Sequence, residues 1–148
     1  MWIKKDKLME LQLNVEDQSN PDDVRYVENQ LYAYNLPFTG EDQFRPLNIF
    51  VRSPDGKILA GLLGVTFWGW LHVDVLWVDA GLRGGGWGMR IMHAAEQEAR
   101  SRGCMRVNLE THDFQALDFY QKLGYTLFGQ LDDFPAGHRK YFLAKLLG

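Results

Sequence analysis

Leu82-Arg83-Gly84-Gly85-Gly86-Trp87-Gly88-Met89 puts four glycines into five residues directly behind an arginine. On its left, Trp70-Leu71-His72-Val73-Asp74-Val75-Leu76-Trp77-Val78 is rich in β-branched and aromatic residues and reads as a strand. On its right, residues 89–102 read as a helix closed by Gly103. A glycine turn between a strand and a helix start leaves backbone N–H groups unpaired at the positive end of the helix dipole. Such a turn is suited to a phosphate. Two nucleotide motifs fail here. Gly88 is followed by Met89-Arg90 where a P-loop needs Lys and Ser or Thr. A dinucleotide fingerprint needs its third glycine at Met89 or Ile91. The pattern left is Arg83-x-x-Gly86-x-Gly88.

The 148 residues fit one domain, 1–148, with a core over about 8–147. A net charge of −3 and the lack of a basic stripe give no sign of a nucleic-acid surface. The one cysteine, Cys104, rules out an internal disulfide, suits a reducing cytoplasm and reads as a small buried hydrophobe. Met1-Trp2-Ile3 runs into Lys4-Lys5-Asp6-Lys7 with no apolar stretch of signal-peptide type, and no run is long enough for a membrane span. The four histidines and the cysteine show no metal-ligand spacing, so no metal is expected.

Taken in order, Leu8 to Val15 alternates loosely and reads as a first strand. Asn20-Pro21-Asp22-Asp23 starts a helix, with Asn as cap, Pro in the first turn and acids at the dipole's positive end. Pro37 predicts that this helix stops near Asn35. Phe38 to Pro46 reads as a loop. Asn48–Arg52 and Lys57–Trp68 form a hairpin around Ser53-Pro54-Asp55-Gly56. Gly61 and Gly64 mark a close approach or a bulge. Beyond the glycine turn come a strand at 106–110, a short helix at 115–123 and a closing hairpin, 125–134 and 138–147, around Pro135-Ala136-Gly137. The order is β-α-β-β-β-α-β-α-β-β, an α/β mixed sheet with helices on both faces.

These residues resemble the GNAT superfamily of N-acetyltransferases, which use acetyl-coenzyme A. Arg83-x-x-Gly86-x-Gly88 resembles that family's pyrophosphate signature, and Val78 to Arg83 resembles the approach to it. Asp113-Phe114-Gln115-Ala116-Leu117-Asp118-Phe119-Tyr120-Gln121-Lys122-Leu123-Gly124-Tyr125 is similar to its second signature, with Asp113 where the family usually has Asn. The element order also matches, and the likeness covers nearly the whole chain. It implies acetyl-CoA as co-substrate. Gly84, Gly85, Gly86, Trp87, Gly88 and Met89 would hold the pyrophosphate, Arg83 would shape the loop, and the backbone of Leu76, Trp77 and Val78 would meet the pantetheine arm. Tyr120, placed at a frequent catalytic tyrosine, would protonate the leaving thiolate.

Direct transfer to an amine needs a neutral amine, a polarised carbonyl and a protonated leaving group. Histidine titrates near neutrality, so His72 suits the base, and Asp74, two residues on, would share its face with Leu76 and Val78 and orient it or relay through water. Glu110 is the alternative base, and water without a side chain is another. Phe38 and Phe44 lie in a loop and are acceptor-pocket candidates, and His138 at the last turn is another. At least half of Phe67, Trp68, Trp70 and Trp77 are expected in the core, the alternative being that they line an acceptor pocket or stack on a cation. The acceptor would be a small-molecule amine, with a protein or peptide amine as the other class. A homodimer through the last hairpin is left open. Two competing readings are a non-catalytic acyl-CoA sensor or interaction module on the same fold, and a binder of a different phosphate ligand.

Overall fold

The computed structural model describes residues 10–41 and 44–148. The chain divides into two compact units, Met1–Glu41 and Asp42–Gly148. In the first unit, α1 spans Pro21–Thr39. Asn20 caps it by accepting from the Asp22 amide at 2.9 Å, as its sequence requires. The helix does not stop at Asn35. Pro37 forfeits one helix bond, but the Gly40 amide donates to the Leu36 carbonyl at 2.9 Å and closes a further turn. No strand occurs over residues 10–19, so the expected first strand is absent there, and Leu8 lies outside the described residues. The alternation of Leu11, Leu13 and Val15 is a pattern without a pairing partner, and a lone strand does not hold itself.

The second unit is a six-stranded sheet in the order β1-β2-β3-β4-β6-β5, with β1 Arg45–Arg52, β2 Ile58–Phe67, β3 Trp70–Val78, β4 Arg106–His112, β5 Thr126–Asp132 and β6 Arg139–Leu146. Two helices belong to it, α2 Trp87–Ser101 and α3 Leu117–Lys122. Each pairing is antiparallel except β3 with β4. Trp68 and Gly69 both have positive φ, 49° and 81°, which is the two-residue turn that matches the twist of a β2–β3 hairpin. The Ser53–Gly56 turn forms as its residues dictate, the Gly56 amide donating to the Ser53 carbonyl at 2.9 Å.

The core lies on the sheet face that α2 and α3 share. Leu62, Leu71, Leu109 and Leu143 from four strands meet Ile91, Met92, Ala95 and Ala99 of α2 and Tyr120 of α3. Each large side chain removed from water here contributes about 1.5–3 kcal/mol. Cys104 is buried among them. None of Phe67, Trp68, Trp70 and Trp77 joins this cluster: they sit at the hairpin end and on the opposite face, so the expectation that at least half are core residues is not met.

Glu96 is only 2% exposed, on the inner face of α2. Lys145 of β6 holds it with Nζ at 2.7 and 2.9 Å from the two carboxylate oxygens. A paired buried charge adds little net stability, but an orphaned one is costly. Lys145→Met is expected to destabilise the fold by about 3–5 kcal/mol in urea unfolding. The double variant Glu96→Leu with Lys145→Met is expected to recover most of that loss.

Candidate active site

Strands β3 and β4 pair over Trp70–Val73 with Arg106–Leu109 and no further. The cause is local. Between β2 and β3 the register shifts at Leu63/Gly64, with Gly64 opposite Val73 and Leu63 opposite Val75, so Asp74 is an extra residue, a β-bulge. A Cβ at Gly64 would lie 2.7 Å from the His72 carbonyl oxygen, so the close approach at the bulge requires glycine. The bulge bends β3 away from β4 and opens a cleft of about 640 Å³. His72 to Val78 line one wall, Leu109 to His112 the other, with Arg83, Phe114 and Tyr120 also at the cleft.

The bulge also corrects an expectation about faces. Leu76 and Val78 resume the core face of Leu71 and Val73, and both pack against the core cluster. His72 points to the opposite face, so it does not share a side with Leu76 and Val78. The backbone alternates as well. The Asp79 amide donates to Leu59 of the neighbouring β2 segment at 2.8 Å. By the two-residue period Trp77 faces β2 too, and Leu76 and Val78 turn their N–H and C=O groups to the cleft. The Val78 carbonyl already accepts from Arg83 Nε at 3.0 Å, which ties the glycine turn to the end of β3.

The turn itself starts with a single 3₁₀ turn, Ala80–Leu82, capped by Asp79, whose carboxylate accepts from the Gly81 amide at 3.0 Å. Gly84 and Gly86 both have φ of 82°, the left-handed region, with nothing within 4 Å of where a Cβ would sit. Gly86 is the residue before α2 and offers no side-chain cap. The amides of Gly86, Trp87, Gly88 and Met89 therefore keep the orphan donors of a helix start. Arg90 folds its guanidinium over the Trp87 ring, 4.0 Å from the centroid. Gly88 serves packing: a Cβ there would meet the Phe119 ring of α3 at 3.1 Å. Open space, free amides and positive dipole fit the phosphates of an acyl-CoA, and the unpaired groups of Leu76 and Val78 fit its amide-bearing arm.

His72, Asp74, Glu110 and Tyr120 line the cleft, whereas Asp113 and His138 lie at a separate depression beside the last hairpin. His72 Nδ1 lies 2.6 Å from Asn108 Oδ1, so the ring's partner is Asn108 of β4 rather than Asp74, which is exposed. Tyr120 is buried by the core and lines the cleft, and that burial pushes its phenol up to about 12. Glu110 is bound by Lys140 Nζ at 2.8 Å, which competes with any role as a free base. Asp113 accepts from His138 Nδ1 at 2.9 Å and from the Arg139 amide at 3.1 Å. Partial burial works to raise the Asp113 carboxyl, but the His138 ring and the Arg139 amide outweigh it and hold the group below the usual carboxylate range. His138 thus clasps the last hairpin to the strand end, with its ring against Phe114.

The two phenylalanine candidates fare differently. Phe44 stacks on Phe67 at 4.3 Å beside Trp68, at the β2–β3 turn, which is the far end of β3 from the cleft. Phe38 belongs to α1 in the first unit, not to the expected loop, and packs near Tyr34. Sequence reasoning missed Asn108, whose signal was its position opposite His72 in a parallel register that only the fold reveals. It also missed Glu96 and Lys145. Among the described residues no three His, Cys, Asp or Glu side chains gather as a metal site would, and no helix is long and apolar enough to cross a membrane.

A sheet split beside a glycine turn and a helix start, with a tyrosine and a histidine in the opening, is a cleft suited to a phosphate-bearing ligand. The Acetyltransferase (GNAT) family model matches residues 10–125, and the chain belongs to that family of acyltransferase enzymes. It is 45% identical over 107 residues to a blasticidin-S acetyltransferase from Streptomyces morookaense, covering 70% of this chain and 79% of that protein. It is 36% identical over 129 residues to acetyltransferase Atu2258 from Agrobacterium fabrum, covering 87% of this chain and 94% of that one. The crystal structure of an acetyltransferase from Bacillus cereus superposes with a TM-score of 0.81 at 31% identity, over 90% of this chain and 98% of the other.

Two outcomes follow from these contacts. Gly88→Ala is expected to cost about 1–3 kcal/mol by overpacking against Phe119, and Phe119→Leu in the same chain to relieve it, read as shifts of the urea midpoint. Tyr120, held at about 12 when folded and near 10 when unfolded, keeps its proton longer in the native state. Its share of stability is therefore intact below pH 10 and lost between pH 10 and 12, about 2–3 kcal/mol in all. Comparing unfolding at pH 9 and pH 11.5 for the wild type and Tyr120→Phe checks this, with a shallower decline expected in the variant.

Proposed function

We propose that this chain moves the acetyl group of acetyl-CoA directly to a primary amine of a small molecule, with residues 1–148 acting as one catalytic domain. The observation that carries the reading is one cleft that holds the unpaired edge of β3 and the side chains of His72 and Tyr120, with Arg83 at its rim leading directly into the free amides at the start of α2. The family match running across both compact units supports treating the chain as one enzyme. The relative named for blasticidin S supports a small-molecule acceptor. The lone buried cysteine and the lack of a spanning helix among the described residues are compatible with a cytoplasmic enzyme.

In this reading acetyl-CoA supplies the thioester. The free amides of Gly86 to Met89 hold its phosphates, while the Gly85 amide is spent on the Leu82 carbonyl, and Leu76 and Val78 align its arm. His72 Nε2 takes a proton from the amine, whose nitrogen bonds to the acetyl carbon. The N–H of Leu76 or Val78 donates to the carbonyl oxygen as negative charge develops there. As the carbon–sulfur bond breaks, Tyr120 gives its proton to the sulfur. At neutral pH a phenol held near 12 always has that proton to give. Much of the acceleration comes from holding amine and thioester together. Asp74, exposed at the bulge, is placed to relay a proton through water or to attract a cationic acceptor.

Release of coenzyme A from acetyl-CoA is to be followed against a panel of nucleoside antibiotics, polyamines, amino acids and peptides. Turnover is expected with cationic small molecules. Tyr120→Phe is expected to lower kcat about 10²-fold with little change in KM for acetyl-CoA. Turnover confined to peptide N-termini would overturn the acceptor class. An unimpaired Tyr120→Phe would remove Tyr120 from the proton path.

A further inference from the structure

We infer that Asn108 is the positioning residue that decides which ring nitrogen of His72 is left free for the acceptor amine. The inference rests on His72 being the base. Asn108 stands directly opposite His72 in the parallel β3–β4 ladder, one pair before that ladder ends. Its Oδ1 lies 2.6 Å from His72 Nδ1, a short contact across the apex of the cleft. An amide oxygen can only accept, so Nδ1 carries the hydrogen and Nε2 keeps its lone pair. Without that contact a neutral imidazole divides between two tautomers, and one of them cannot take a proton at Nε2.

The residue type matters as much as its place. An amide fixes the tautomer and brings no charge. An aspartate at the same position would fix the same tautomer but would also favour the imidazolium, which is useless as a base. The charged groups around His72 are already mixed. Asp74 follows it on β3, Arg106 and Glu110 flank Asn108 on β4, and Lys140 of β6 is paired to Glu110. On β2 the residue opposite His72 is Val65, which is uncharged. A neutral partner at Asn108 leaves that balance undisturbed, and a carboxylate there would tip it.

The test has two independent readouts on the full chain. Long-range ¹⁵N–¹H NMR of the His72 ring reports the tautomer without any substrate. The Nδ1–H form is expected, and an Nε2–H form would overturn the inference whatever the activity. The second readout is the pH profile of kcat/KM. Asn108→Asp keeps an acceptor in place, so its acid limb is expected to move up by about one pH unit, with KM for acetyl-CoA unchanged. An unmoved profile would mean that residue 108 does not touch the ring of the catalytic base, and that result would also overturn the inference. Asn108→Ala is expected to show mixed tautomers and about a tenfold loss in kcat. His72→Gln separates the two readings. If it stays active while the wild type shows Nδ1–H, the base assignment falls and takes Asn108's part in catalysis with it. If it is inactive while the wild type shows Nε2–H, the base stands and the Asn108 inference alone falls.

Discussion

The single extra residue at Asp74 is the constraint on which the cleft depends. A parallel pair of strands stays together only while both keep the same twist and register. The bulge breaks that match after Val73, so β3 turns away from β4 while its ladder to β2 continues to Val78. One local irregularity thereby produces an opening, an unpaired backbone edge and a swap of faces. The swap keeps Leu76 and Val78 in the core, which anchors the far half of β3, and leaves His72 on the other side of the sheet. Gly64 is what lets β2 follow the bend, since its carbonyl neighbour leaves no room for a side chain.

The second dependence runs through two helices. The glycine turn sits at the start of α2, and Tyr120 sits on α3 beside Phe119. Gly88 lets those helices touch through the Phe119 ring, so one contact sets the turn relative to the tyrosine. Along its second half α2 is tied down at three points, one of them Arg100, which donates to the Leu147 carbonyl. Arg102 reaches the Arg45 and Pro46 carbonyls and the Thr66 hydroxyl, while Glu96 binds Lys145 across to β6. The helix that presents the free amides is thus fixed along its length, as a preorganised anion site requires.

Most of the fold could be read in the sequence because its signals are local. The Asn20 cap, the Ser53–Gly56 turn, the glycine turn and Gly103 after α2 all depend on neighbouring residues, and they form as read. The misreadings have a common physical source. The alternation near Leu11 had no means of showing whether a partner strand exists. Pro37 cost one hydrogen bond, too little to stop α1. A strict two-residue period put Asp74 and His72 with Leu76, because Gly64 signalled a bulge or close approach but not which residue of β3 is the extra one. Phe44 was judged by its loop position and Trp68 and Trp70 by residue type, whereas their place at the hairpin end is a matter of register. Asn108 and Lys145 act through partners 36 and 49 residues away, and such pairings exist only once the sheet is assembled.

The outer edges of the sheet and the inner gap pose different risks. An edge strand is a template on which another chain can stack, and among the described residues the sheet ends in β1, blunted by Pro46 near its start, and β5, blunted by an irregularity at Leu127/Gly129. The gap between β3 and β4 exposes unpaired groups as well, yet its walls diverge from a closed apex and Arg83 already occupies the Val78 carbonyl. A foreign strand would need to thread a wedge that narrows to nothing. Polar backbone can therefore stay open to a small, narrow ligand without inviting aggregation, a compromise that an open edge on the outside of the sheet could not reach.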